Sequence, residues 1–210
     1  MIHATIIKQD EPSDDQSSVY HIFERLNTGG TLLQPQEIRA CIFHGPFADL
    51  LEELNLDPHW RKIYGPPSKR LKDQELILRF LALFFSMKTY SRPMSEFLGK
   101  FMGGNRYLKK VAADQIRQTF LPAAAVCSTL EGKAFRPERA LNAAVCDSVM
   151  VGLATRLTRG NITKPSQFKA AYDHLLNDAK YISAIKKATA DEANVALRTD
   201  KAIGAFAGIH

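Results

Sequence analysis

The sequence predicts a mainly α-helical fold, a multi-helix bundle with one short strand near the N-terminus. Apolar side chains recur every three or four residues along most of the 210-residue chain, which is the period of a helix with one buried face. Prolines and glycines stand where this periodicity starts and stops. Only residues 3–8 have the β-branched composition of a strand. We therefore expect eight or nine helices and one strand.

Short helices separated by turns are predicted in the first part of the chain. Asp14 or Asp15 can cap a helix that continues to the Gly29-Gly30 pair, where it stops. Pro35 and Pro46 each stand at a position that the first turn of a helix accepts, because that turn does not use the missing N–H. A turn is predicted at residues 64–68, where two prolines follow a glycine.

The second part of the chain is predicted to contain longer helices. Residues 72–88 are apolar nearly all round, so we expect this helix to be surrounded by others at the centre of the core. The last helix is expected to start at a capping box, Thr189-Ala190-Asp191-Glu192. Further helices are predicted at residues 93–104, 107–131 with a kink near Pro122, 138–159, and from Pro165 onward.

The composition is that of a globular protein in a reducing compartment. Hydrophobic residues make up 45% of the chain and charged residues 24%, which excludes disordered and fibrous classes. Cys41, Cys127 and Cys146 form no C-x-x-C pair, so we expect reduced core thiols and neither disulfides nor a zinc knuckle. The apolar run at residues 76–85 is too short to cross a membrane, and no signal peptide is predicted. A cytoplasmic protein without a membrane partner is expected.

The most informative segment is residues 19–43, which predict a helix, an Asn-Thr-Gly-Gly turn and a second helix. The glycines allow positive φ and the close approach of a ligand or another backbone. Asn27 and Thr28 place an amide and a hydroxyl beside the N–H donors of the next helix, and such a corner can bind an anion. The same residues also fit a plain helical corner in which Asn27 acts as a cap.

The string FERLNTGGTLLQPQEIR in this segment resembles the GmrSD restriction-endonuclease N-terminal domain family, which has a ParB/sulfiredoxin-like fold. Later segments resemble the same family, so the resemblance extends over nearly the whole chain. They are WRKIYG at Trp60, KDQELILRFLAL at Lys72, FRPERALNAAVCDSVMVGLA from Phe135 and TADEANVALRTDKAIGAF from Thr189.

This resemblance implies a role in the restriction of modified phage DNA. Members of the family are associated with a ParB-like domain that binds and hydrolyses nucleoside triphosphate. By resemblance, Asn27 would lie beside the nucleotide or its metal, and Thr28, Gly29 and Gly30 would shape the loop. Glu24 and Arg25 lie near the position of an acidic-Asn-basic motif in ParB proteins.

An Asp-Gly-Gln-Gln-Arg motif, on which the family's chemistry depends, is expected upstream of this segment, and the chain contains none. We therefore expect residues 1–45 to be the remnant of a truncated ParB-like α/β domain that ends in the FERLNTGG motif, and residues 46–210 to be a helical domain. The strand at residues 3–8 would then be left over from the missing sheet. No catalytic residue and no cofactor are expected in this chain alone, while nucleoside triphosphate and Mg²⁺ would bind with the missing half.

Two pairs of side chains stand one helical turn apart, His21 with Glu24 and Cys41 with His44. Either pair supplies only two ligands, whereas a metal site needs three or four. No metal site is therefore expected.

Basic residues form two clusters that suit an anionic partner, consistent with a formal net charge of +6. Trp60, Tyr64 and Tyr107 are interleaved with them. The clusters form either a DNA-facing surface or an ordinary solvated one. The first cluster is Arg61, Lys62, Lys69, Arg70 and Lys72, and the second is Lys100, Arg106, Lys109, Lys110 and Arg117.

Three functions remain open at this point. The chain is a truncated or split family member that supplies the helical half of a nucleotide-hydrolysing domain and is inactive alone. Alternatively, it is a stand-alone helical module of a defence operon that binds DNA or a partner protein, or an inert remnant of a disrupted gene.

Overall fold

The computed structural model describes Ile22 and residues 32–210, and this part of the chain folds into ten α-helices joined by short loops. The predicted mainly helical fold is confirmed, whereas the predicted strand at residues 3–8 and the first predicted helix lie outside the described residues. The helices are α1 (Pro35–Ile42), α2 (Pro46–Asn55), α3 (Pro58–Tyr64), α4 (Lys72–Ser86), α5 (Met94–Asn105), α6 (Ala113–Cys127), α7 (Ala143–Leu157), α8 (Pro165–Leu175), α9 (Ala179–Lys186) and α10 (Glu192–Phe206). Single 3₁₀ segments follow α4 and α6, at Met87–Thr89 and Ser128–Lys133.

Local chemistry sets most helix starts. Proline stands in the first turn of α1, α2, α3 and α8, as its missing N–H allows. The sequence did not predict α3 or α9, which are only seven and eight residues long. Each begins at an aspartate that accepts a backbone N–H: Asp57 from Trp60 at 2.9 Å and Asp178 from Tyr181 at 2.8 Å.

Several predicted boundaries are wrong for identifiable reasons. The helix predicted from residue 107 begins at Ala113, because the preceding turn contains Leu108 at a φ of 55°. The helix predicted from residue 138 begins after Asn142, whose side chain accepts the N–H groups of residues 144 and 145. The last helix is capped by Asp191 rather than Thr189. Pro122 lies inside α6 as predicted, and the kink expected near it stays a prediction.

The central helix is α7, not α4 as the sequence predicted. All eleven consecutive residues from Ala144 to Ala154 are buried, whereas α4 keeps several side chains at the surface. α7 packs mainly against α10, α4 and α6. At Gly152 of α7, helix α10 comes so close that a Cβ added to this glycine would lie 2.7 Å from the carbonyl carbon of Ala202. No helix within residues 32–210 is both long and apolar enough to span a bilayer.

A buried carboxylate joins these central helices. Asp147 of α7 is fully buried and accepts hydrogen bonds from Arg198 of α10 at 3.2 and 3.3 Å. It also accepts one from Arg79 of α4 at 2.5 Å. Burial acts to lower the pKa of Arg79, but the charge of Asp147 and this hydrogen bond outweigh it and raise the pKa. Through these hydrogen bonds α4, α7 and α10 share one ionic centre.

α1 is fixed to the rest of the bundle by two further ion pairs. Arg39 of α1 donates to Glu75 of α4 at 3.0 Å, and Arg70 donates to Glu37 of α1 at 2.9 Å. Phe43, directly after α1, belongs to the same hydrophobic core as α2. The domain boundary proposed at residue 45 stays a prediction.

Replacing Asp147 with asparagine should destabilise the protein by about 3–5 kcal/mol, because two guanidinium groups would lose their buried counter-charge. The melting temperature should then fall by roughly 6–20 °C. Thermal unfolding followed by circular dichroism measures the change. The matched control is Glu53→Gln, which weakens an exposed ion pair with Arg117 and should have a much smaller effect. Equal effects of the two substitutions would contradict this role of Asp147.

Replacing a glycine with alanine should destabilise the protein at Gly152 of α7 but stabilise it at Gly204 of α10. Gly152→Ala forces α7 and α10 apart, and overpacking of this kind costs about 1–3 kcal/mol. Gly204 lies in α10, and apart from the adjacent turns of its own helix no atom of the described residues would lie within 4 Å of the new methyl group. Gly204→Ala should stabilise the helix by about 0.5–1 kcal/mol. Urea unfolding of both variants tests the contrast, and a Gly152→Ala variant as stable as the parent would refute the close packing.

Candidate nucleic-acid interface

The first basic cluster lies on α3, the loop after it and the start of α4. Its Arg61 is an internal structural group: the guanidinium donates to the buried Asp73 at 3.0 Å and to the buried Asn55 at 2.7 Å. Asp73 also accepts from Asn55 at 3.1 Å and from the backbone of Ser68 at 2.9 Å. This network ties α2, α3 and α4 together, so Arg61 does not present its charge to a partner.

In the rest of this cluster the arginine is paired within the described part of the protein, whereas the lysines are not. Arg70 donates to Glu37, as described above, and to the backbone carbonyl of Leu32. Its guanidinium is thus also engaged within the protein. Lys62, Lys69 and Lys72 are exposed, and none of their ammonium groups pairs with a described residue. The lysines, rather than the arginines, supply the accessible charge.

The prediction that Trp60 lies among these surface charges is wrong. Its side chain is 1% exposed, and its Nε1 donates to Asn55 at 3.0 Å. Its ring packs edge-on against that of Phe120, with 5.8 Å between the ring centroids. It therefore cannot stack on a base. Tyr64 is half-buried beneath the guanidinium of Arg61, 5.4 Å from the ring centroid. The sequence pattern placed both aromatic residues beside charges without showing that the helix turns them inward.

The second basic cluster spans α5, the turn after it and α6. Arg106 donates to the carbonyl of His44 at 2.7 Å and lies 5.2 Å from the ring of Tyr107, which is 60% exposed. Arg117 forms a two-pronged pair with Glu53 at 2.7 and 2.8 Å. This hydrogen bonding lowers the pKa of Glu53. Both arginines are thus engaged, while Lys100, Lys109 and Lys110 are exposed.

The structure brings Lys100 and Lys110 together in one groove of about 460 Å³ between α5 and the end of α4. The positive φ of Leu108 reverses the chain after α5, and its N–H donates to the carbonyl of Asn105 at 2.7 Å. The ammonium of Lys110 consequently lies over Gly104, where an added Cβ would be 3.0 Å from it. No described hydrogen bond or ion pair joins this cluster to the first one.

Sequence reasoning missed Asn105, which also lines this groove. Asn105 is 3% exposed, and its amide donates to the carbonyl of Phe101 at 2.8 Å. Its Oδ1 has no hydrogen-bond partner among the described residues. The sequence did contain a signal: Phe97, Phe101 and Asn105 follow at intervals of four, so a polar residue continues an apolar helix face.

The other predicted site residues have separate outcomes. Asn27, Thr28, Gly29 and Gly30 lie outside the described residues, as do His21 and Glu24. Cys41 and His44 are both exposed, so Cys41 is not the core thiol that the sequence predicted. Cys127 and Cys146 are buried as predicted, and burial raises the pKa of both thiols. Within residues 32–210 no three His, Cys, Asp or Glu side chains are close enough to hold a metal ion.

Comparison with known proteins identifies no relative of this chain. No family model, no curated protein and no solved structure matches it.

Arg61→Gln should lower the free energy of unfolding by about 1.5–3 kcal/mol, because the buried Asp73 loses a charged hydrogen-bond donor. Lys62→Gln removes the same charge from the neighbouring exposed position and should change stability by less than about 0.5 kcal/mol. Urea unfolding distinguishes them. Similar stabilities of the two variants would mean that Arg61 is an ordinary surface charge.

Proposed function

We propose that this chain is a cytoplasmic, helical DNA-binding module of the GmrSD type, which contacts the DNA backbone through exposed lysines. One observation carries the proposal: in both basic clusters the arginines are engaged within the protein, whereas no lysine ammonium has a described partner. The lysines concerned are Lys62, Lys69, Lys72, Lys100, Lys109 and Lys110.

This division between arginine and lysine determines which kind of binding the surface supports. The commonest specific contact with a base edge in the major groove is a basic side chain, often an arginine, that donates two hydrogen bonds to guanine. Arg61, Arg70, Arg106 and Arg117 use their guanidinium groups in hydrogen bonds to other residues of this chain, although those of Arg106 and Arg117 lie at the surface. Lysine acts as a point charge, which suits sequence-independent contacts with phosphates. The module would therefore contribute affinity for DNA, and recognition of a modified base would belong to another part of the system.

The resemblance assigns that other part to a ParB-like half that hydrolyses nucleoside triphosphate. In this proposal the Asn27–Gly30 corner contacts nucleotide and Mg²⁺ only when that half is present, either on the same chain or on a partner protein. The ion pairs of α1 support the arrangement. Glu37 and Arg39 belong to the QPQEIR end of the family-like segment, and both pair with residues of the helical bundle. The segment is thus anchored at its C-terminal end.

Replacing Lys62, Lys69 and Lys72 together with glutamine should weaken DNA binding in a salt-dependent way. Each lysine that contacts a phosphate contributes about 0.9 to the slope of log affinity against log salt concentration, and the slope should decrease accordingly. Fluorescence anisotropy with a labelled duplex at several salt concentrations measures it. The control triple variant replaces Lys169, Lys180 and Lys187, which are exposed on or beside α8 and α9, and has the same net charge.

Two results would defeat the proposal. The parent chain must bind DNA at low salt, so a failure to bind would exclude the function. An equal loss of affinity in the two triple variants would show that only net charge matters, and that no specific surface contacts DNA.

A further inference from the structure

The groove between α5 and the end of α4 has opposite charges at its two ends. Glu96, Lys100 and Gly104 follow at intervals of four along α5 and line the groove, with Lys110 lying over Gly104. Each of these three residues lies about 6 Å further along the helix axis than the one before, because a helix rises about 1.5 Å per residue. The carboxylate of Glu96 is therefore at one end, and two ammonium groups are toward the other.

The groove also offers a hydrogen-bond acceptor that the fold leaves unused. The amide of Asn105 is held by its bond to the carbonyl of Phe101, which leaves its Oδ1 buried without a described partner. Buried carbonyl oxygens of side chains are normally paired. Ser86, Thr89 and Ser91 add short polar side chains along the opposite wall.

A purely structural role accounts for only part of this arrangement. Lys110 lies near the C-terminus of α5, where a positive charge offsets the negative end of the helix. Lys100 is more than a turn from that end, so the same argument does not apply to it. Nor does it explain the unpaired oxygen of Asn105.

We propose that this groove binds a phosphate monoester whose organic part carries hydrogen-bond donors. The phosphate would lie between Lys100 and Lys110, and the donors would be directed to the unpaired Oδ1 of Asn105. Lys100 and Lys110 are also among the lysines of the proposed function, and this inference assigns these two a more specific ligand than an internal phosphate of DNA.

Charge and size both favour this class of ligand. A phosphate monoester carries about 1.5 to 2 negative charges at pH 7, which matches two ammonium groups, whereas an internal DNA phosphodiester carries only one. Glu96 disfavours a second anionic group at its own end. The volume of about 460 Å³ lies within the usual range for small-ligand sites. The same chemistry occurs on a free phosphorylated small molecule and at the 5′ end of a nucleic-acid strand.

The test measures what a terminal phosphate adds to binding by the full chain. One arm compares adenosine 5′-monophosphate with adenosine by isothermal titration calorimetry. The other compares one oligonucleotide with a 5′-phosphate or a 5′-hydroxyl by anisotropy. The phosphate should increase affinity by at least about tenfold in one arm or both, the size of a charge-assisted contact. The variant K100Q/K110Q should abolish this gain, whereas the charge-matched control K169Q/K180Q, at exposed positions of α8 and α9, should retain it.

The outcomes identify the source of the ligand or overturn the site. A gain with the mononucleotide alone assigns the groove to a free small molecule, and a gain with the oligonucleotide assigns it to a strand end. No gain in either arm, or a gain that K100Q/K110Q leaves intact, overturns the proposal. Failure of the proposed function is separate, because it would show as absent binding of the 5′-hydroxyl oligonucleotide. Circular dichroism melts check that each lysine variant, changed only at exposed positions, keeps its fold.

Discussion

The fold depends on one buried carboxylate. Asp147 lies at the middle of the most buried helix and pairs with guanidinium groups from two other helices. A charge in this position is tolerated only while its partners remain in place, since burying it unpaired would cost several kcal/mol. Sliding α4 or α10 along α7 would break the pairs. The ion pairs therefore specify how these helices align, while the surrounding small and apolar side chains, including Gly152, allow close packing.

Arginine and lysine differ in role in the two basic clusters and where the central helices meet, although Lys186 and Lys201 elsewhere form ion pairs with Glu138 and Asp178. Arg39, Arg61, Arg79 and Arg198 link helices through hydrogen bonds to buried or half-buried acceptors. A planar guanidinium with several donors suits such multiple contacts, whereas the lysine ammonium is more strongly hydrated and stays in water. The positive surface is thus made mainly of lysines. This separation favours phosphate contacts over base reading, and it makes the net charge of +6 a poor guide to which residues bind a partner.

The candidate site was predictable only in part. Lys109 and Lys110 were recognised as basic surface residues, but their sequence neighbourhood does not show that Lys110 returns over α5 to share a groove with Lys100. That return depends on the left-handed conformation of Leu108, which a non-glycine residue rarely adopts and sequence therefore does not announce. The opposite error occurred at Trp60, whose basic neighbours suggested the surface although its ring lies in the core.

The sequence by itself determined the helical class, the prolines that begin helices and the burial of Cys127 and Cys146, because these follow from periodicity and local backbone chemistry. Only the tertiary structure decided that α7 is central and which basic groups are internal. The reason is that these outcomes depend on partners far away in the chain: Arg79 and Asp147 are 68 positions apart, and Arg198 is 51 from Asp147. A local pattern reports that a charge is present, whereas its partner, and hence its role, is set by how the helices pack.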